Sequence, residues 1–102
     1  MTACKTLDEI KRVLGKHKRE LNEKYGVKNI GVFGSYVRNE QKETSDVDIL
    51  VDFHPDAKMD LIKFVELKNY LSDLLGLNVD LVMKTALKPN IGKRIMKEVI
   101  YI

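Results

Sequence analysis

Residues 46–53 read Asp-Val-Asp-Ile-Leu-Val-Asp-Phe, and this alternation narrows what the chain can become. In an extended strand side chains point to opposite faces in turn, so Val47, Ile49, Val51 and Phe53 share one face and Asp46, Asp48, Leu50 and Asp52 the other. The first face needs a core. The second must stay open to water or ligand. Aspartate is unfavourable inside a β-branched run, so a purely structural reading of Asp46 and Asp48 is the weaker one.

The flanking sequence supplies elements to cover that strand. Thr6 and Glu9 form a capping box that opens a helix, in which Leu7, Ile10, Val13, Leu14, Leu21 and Tyr25 recur at helical spacing until Gly26 ends it. Lys11, Arg12, Lys16, Lys18 and Arg19 fall on its other face, most simply a solvated surface. Asn29 to Phe33 is a short β-branched and aromatic strand, followed after Gly34 and Ser35 by a short helix over Tyr36 to Asn39. Asp60 caps a third helix with Leu61, Phe64, Val65, Leu71, Leu74 and Leu75 as its apolar stripe, closed by Gly76. Val79, Leu81 and Met83 alternate with Asp80 and Val82 as a third strand. After Lys88 and Pro89, Ile91, Ile95 and Val99 mark one side of a last helix. The order αβαβαβα over 102 residues predicts one domain, 1–102, of the α/β class: a small mixed β-sheet covered by helices.

The charge is unevenly placed. The net charge is +3, yet residues 40–60 hold seven acids against two lysines, while residues 84–102 hold five bases against Glu98. A basic protein with an acidic centre makes direct nucleic-acid binding the minority expectation. Cys4 is the single cysteine, so it cannot form an internal disulfide and reads as a spectator thiol. No apolar run approaches the ~20 residues needed to cross a bilayer, and the expected location is the cytoplasm, with no membrane partner.

The chemistry lies in Gly34-Ser35, then ten residues, then Asp46-x-Asp48, with Asp80 on a later strand. A glycine at a strand-to-helix turn lets backbone approach a phosphate, and Ser35 adds a hydroxyl donor. Two aspartates at i and i+2 have Cα atoms roughly 6.5–7 Å apart on one face, so their carboxylates can converge on cations about 3.5–4 Å apart. Mg²⁺ is a hard ion that favours such oxygens and takes the rest of its shell from substrate phosphates and water. Asp80 offers a third carboxylate. As an acid in an apolar strand it calls for a compensating charge, most economically a cation. Arg38 is placed either to reach a triphosphate or to pair outward with Glu40 or Glu43. Ser35 as a mere helix cap and Asp80 as an isolated strand-edge acid are the plainer alternatives. Asp52 reads as solvated, and His17 and His54 lack a second ligand at metal spacing.

Gly34-Ser35-Tyr36-Val37-Arg38, Asp46-Val47-Asp48 and Asn78-Val79-Asp80 together resemble the DNA polymerase β-like nucleotidyltransferase superfamily. The small size selects the minimal nucleotidyltransferase (MNT) antitoxin family, and the likeness runs from about Leu7 to Ile102. The resemblance implies the polymerase β-like fold and Mg²⁺-dependent use of ATP. Gly34, Ser35 and Arg38 fall to the nucleotide, and Asp46, Asp48 and Asp80 to metal and catalysis. It also implies a partner, a HEPN-domain ribonuclease toxin neutralised by transfer of AMP to a tyrosine. The alternatives are a non-catalytic inhibitory subunit, or transfer to a small molecule or an RNA end. Val37 and Asn39 stand where relatives often carry Ala and Gly.

Overall fold

A computed structural model describes residues 6–102; Cys4 lies outside the described residues. The elements are α1 (Leu7–Tyr25), β1 (Val27–Phe33), α2 (Ser35–Arg38), β2 (Val47–Phe53), α3 (Leu61–Leu75), β3 (Val79–Met83), a 3₁₀ turn (Lys84–Ala86), α4 (Pro89–Glu98) and β4 (Ile100–Tyr101). The expected helices and strands are therefore present. The two-residue β4, which follows α4 directly, is an addition to the expected order.

The ends of the long helices are set by side chains named in the sequence. Thr6 accepts from the Glu9 amide at 3.3 Å, and Gly26 closes α1 at φ 70°. Asp60 accepts from the Lys63 amide at 2.8 Å, and Gly76 closes α3 at φ 66°. Each cap satisfies a backbone group that the helix leaves without an internal partner.

The four strands form a mixed sheet in the order β3-β2-β1-β4, with β1–β2 and β1–β4 antiparallel and β2–β3 parallel. The parallel step follows from α3, which carries the chain from the end of β2 back to the start of β3. The core lies on one face of this sheet. Ile10, Leu14 and Leu21 of α1 and Leu67, Leu71 and Leu75 of α3 pack with Ile30, Val32, Val47, Ile49, Val51 and Val79. Burying each such aliphatic side chain contributes about 1.5–3 kcal/mol.

Two expectations change. On α3 the inward stripe is Phe64, Leu67, Leu71 and Leu75, whereas Leu61 and Val65 are 77% and 45% exposed. They lie well around the helix from the buried line, at 100° per residue. The acid-bearing sheet face is also less open than its parity suggests. Leu50 on that face is only 1% exposed, and a β-carbon on its neighbour Gly31 would come within 2.7 Å of Val99 Cγ2. The α4–β4 segment covers that part of the sheet and separates the Asp48 end of the acid face from the Asp52 end, both of which stay partly exposed.

Candidate active site

The strand register determines which acids meet. Phe33 of β1 is the neighbour of Asp48, and Asp48 is the neighbour of Asp80 across the parallel β2–β3 pair. Residues paired in this way project to the same face. The carboxyls of Asp48 and Asp80 come within hydrogen-bonding reach. Burial, then the charge of Asp80 and its hydrogen bond, then Asp46, push the Asp48 carboxyl up to about 6, with Arg38 opposing. Asp46 stands just before β2 and is exposed, as is Asp80. The turn before it is fixed by Lys42, whose amide donates to Ser45 Oγ at 2.9 Å, and by Val47, whose amide donates to Asn78 O at 3.0 Å.

Asp80 differs from expectation in one respect. It sits on an edge strand in contact with solvent rather than enclosed in an apolar strand. The strained carboxylate is Asp48, on the inner strand.

Gly34 makes Asp48's position possible. Its φ of 80° and ψ of −149° favour glycine, and a β-carbon there would overlap Asp48 Oδ2 and lie 3.0 Å from its Cγ. Both backbone groups of Gly34 are already used. Its carbonyl accepts from the amides of Val37 and Arg38 at 3.1 and 3.2 Å, and its amide donates to Glu98 Oε2 at 2.9 Å. The missing side chain thus makes room for a carboxylate. Ser35 is the first residue of α2 and is half-buried. Gly34, not Ser35, occupies the cap position, and no side-chain bond caps this helix. Asn39 ends α2 at φ 58°, a left-handed conformation that asparagine tolerates better than most residues.

Arg38 is gripped from two sides. Its Nε donates to Glu40 at 3.1 Å and its Nη1 to Glu98. These hydrogen bonds, that to Glu98 first, raise its pKa above the ordinary arginine value. Burial pushes the Glu98 carboxyl up, but the Gly34 amide and Arg38 outweigh it and hold it below the ordinary glutamate value. The outward pair with Glu40 was legible in the sequence; Glu98 was not, because it is separated from Gly34 by 64 positions and from Arg38 by 60.

Two clefts flank the acids. One of about 280 Å³ is lined by Gly34, Arg38, Asp48, Arg94 and Glu98, with Ile91 and Ile95 of α4 beside them. The other, about 460 Å³, is lined by Asp46, Lys68, Asn69, Ser72, Asn78 and Asp80. A broader hollow of about 520 Å³ continues from it past Asp46 between Thr44 and Gly76.

Among the described residues no group of three His, Cys, Asp or Glu side chains forms a ready metal cage. The donor set nevertheless fits Mg²⁺. That ion is usually held by one or two carboxylates with phosphate and water completing its shell, and Asp48 and Asp80 supply a close pair of hard oxygen donors with Asp46 nearby. A dication would also offset the burial and the neighbouring acid charge that raise Asp48.

Paired acids on adjacent strands, packed against a Gly-Ser turn that leads into a short helix, define a nucleotidyl-transfer enzyme. Residues 14–102 match the nucleotidyltransferase domain family, and the chain belongs to it. The protein adenylyltransferase MntA of Thermococcus cleftensis is 58% identical over 100 residues, covering 98% of this chain and 99% of that protein. A solved minimal nucleotidyltransferase superposes with a TM-score of 0.70 at 33% identity, covering 91% of this chain and 88% of the other. A toxin–antitoxin structure with AMP-PNP gives 0.68 at 25% identity, covering 84% and 69% respectively. No helix among the described residues is long and apolar enough to cross a membrane.

Proposed function

We propose that the chain transfers AMP from ATP to a tyrosine hydroxyl of a HEPN-type ribonuclease toxin, and so acts as that toxin's antitoxin in the cytoplasm. The observation that carries the reading is the Asp48–Asp80 pair, set in register beside Gly34. Similarity to a protein named as a protein adenylyltransferase, and to a toxin–antitoxin structure with an ATP analogue, supports the choice of substrate and partner.

The reaction forms a bond between the acceptor oxygen and the α-phosphorus of ATP and breaks the bond from that phosphorus to the β-phosphate bridge, releasing pyrophosphate. Asp46, Asp48 and Asp80 would hold a pair of Mg²⁺ ions, which neutralise charge on the phosphates. Asp80, exposed and at the strand edge, accepts the proton of the attacking hydroxyl. Arg38, held as a fork by Glu40 and Glu98, faces the triphosphate from the smaller cleft, and Ser35, the first residue of α2, adds a hydroxyl donor beside Gly34. Gly34 contributes by letting Asp48 close on the turn.

The test is α-labelled ATP with Mg²⁺ and a purified HEPN-type toxin from the same genome. Label on the toxin that disappears with Asp48→Asn, and a mass increase of one or more AMP groups on a tyrosine peptide, are expected. Toxin inhibition that survives Asp48→Asn without any label would instead make the chain a non-catalytic inhibitory subunit.

A further inference from the structure

The apolar side chains that α3 leaves outside the core form an organised set. Leu61, Val65, Lys68, Asn69 and Ser72 follow each other at spacings of four, three, one and three, so they run along one side of the helix. Leu61 and Val65 are 77% and 45% exposed, and Ile62 beside them is 73% exposed. The other end of the same line enters the cleft that holds Asp46 and Asp80, because Lys68, Asn69 and Ser72 form part of its wall. Ser72 fixes the helix to that cleft. Its hydroxyl donates to Lys68 O at 2.9 Å and accepts from the Val79 amide at 3.3 Å, one residue before Asp80.

We infer that this outer line of α3 is the docking ridge for the acceptor protein, and that the acceptor hydroxyl enters through the Asp46–Asp80 cleft. The inference rests on the proposed transfer to a protein. In an in-line displacement the nucleophile and the leaving pyrophosphate lie on opposite sides of the phosphorus. The cleft containing Arg38 and Arg94 suits the triphosphate, so the nucleophile comes from the Asp80 side, where α3 forms the wall. Exposed apolar side chains grouped beside a reaction cleft mark a protein-binding surface. The line from Leu61 to Ser72 spans about 16 Å at the rise of an α-helix, a length that a folded partner can cover and a small acceptor cannot. Leu61 and Val65 would seat apolar side chains of the partner, and the Lys68 ammonium would meet an acidic group near the modified tyrosine.

The test compares wild type with Val65→Asp and Leu61→Asp, both at exposed positions away from the cleft wall, and with Lys11→Glu on the outer face of α1 as control. Affinity for a purified HEPN-type toxin is measured by calorimetry, alongside ATP·Mg²⁺ affinity, labelled transfer and a melting curve. The ridge variants should lose about tenfold or more in toxin affinity and raise the acceptor KM by a similar factor. Their ATP affinity should stay within about twofold of wild type and the control should bind normally. Ridge variants that bind and label the toxin as wild type does would overturn the docking surface and leave the activity intact. Weaker toxin binding in the ridge variants when even wild type transfers no label would support the surface and overturn the activity. A wild type that neither binds nor labels the toxin overturns both.

Discussion

Asp48→Asn should make the metal-free protein more stable at neutral pH. Asp48 is raised from 3.8 to about 6, first by burial and then by Asp80. A carboxyl raised this far disfavours its ionised form by about 3 kcal/mol in the absence of solvent screening. Asp48 is partly exposed, and solvent and salt reduce this to an expected gain of about 1–2 kcal/mol on neutralising it. For a domain of this size the melting point should rise by roughly 5–12 °C. The sign follows from proton linkage. The folded-state value lies above the unfolded one, so the folded wild type binds more protons between about pH 4 and pH 6 and loses stability as pH rises through that window. Above it the loss is complete, and below it wild type and mutant should converge. Thermal unfolding of both proteins in chelator, from pH 4 to pH 7.5, measures the difference directly. A mutant that melts at or below wild type at pH 7.5, or a difference that does not shrink on acidification, refutes the crowding of these carboxylates.

Gly34→Ala should cost about 1–3 kcal/mol and bring transfer close to background, because the new methyl meets Asp48 and the backbone is held at φ 80°. Urea unfolding and labelled-ATP assays check this, and adding Asp48→Ala should recover part of the stability and none of the activity. Glu98→Ala should lower stability by about 1–3 kcal/mol by leaving the Gly34 amide without its acceptor. It should also raise the KM for ATP more than it changes kcat, since Arg38 loses one of its two carboxylate partners. Initial-rate kinetics over a range of ATP concentrations separate the two effects, and Glu98→Gln should fall between wild type and Glu98→Ala.

The parts of the fold that are legible in the sequence are those with local causes. Thr6, Gly26, Asp60 and Gly76 act on helix ends within a few residues of themselves, and all four sit where their chemistry places them. β2 is legible because strict alternation of acids with apolar residues suits a half-buried strand and does not suit a helix. Parity puts Asp48 and Asp80 each on the face opposite the core residues of its strand, but their meeting depends on the parallel β2–β3 register, which no local pattern fixes. What escapes depends on distant contacts. Glu98 looks like a lone acid in a basic tail, and its role appears only when α4 packs against a turn far earlier in the chain. Hydrophobicity alone puts Leu61 and Val65 on the inward line of α3, because it does not say which apolar side chains face the sheet; Leu67 takes that place. Leu50 shares parity with the acids yet is enclosed, since no local pattern signals that Val99 folds over neighbouring Gly31.

Position 34 is constrained twice, by the bend of its own backbone and by the acid that leans against it. A duplicated copy that drifted and lost Asp48 would be released from the second constraint but not the first. It would still favour glycine for as long as β1 turned into α2 in the same way. A surviving glycine in such a copy would report only that the bend persists, whereas the fate of the acid would tell a working enzyme from a silent one.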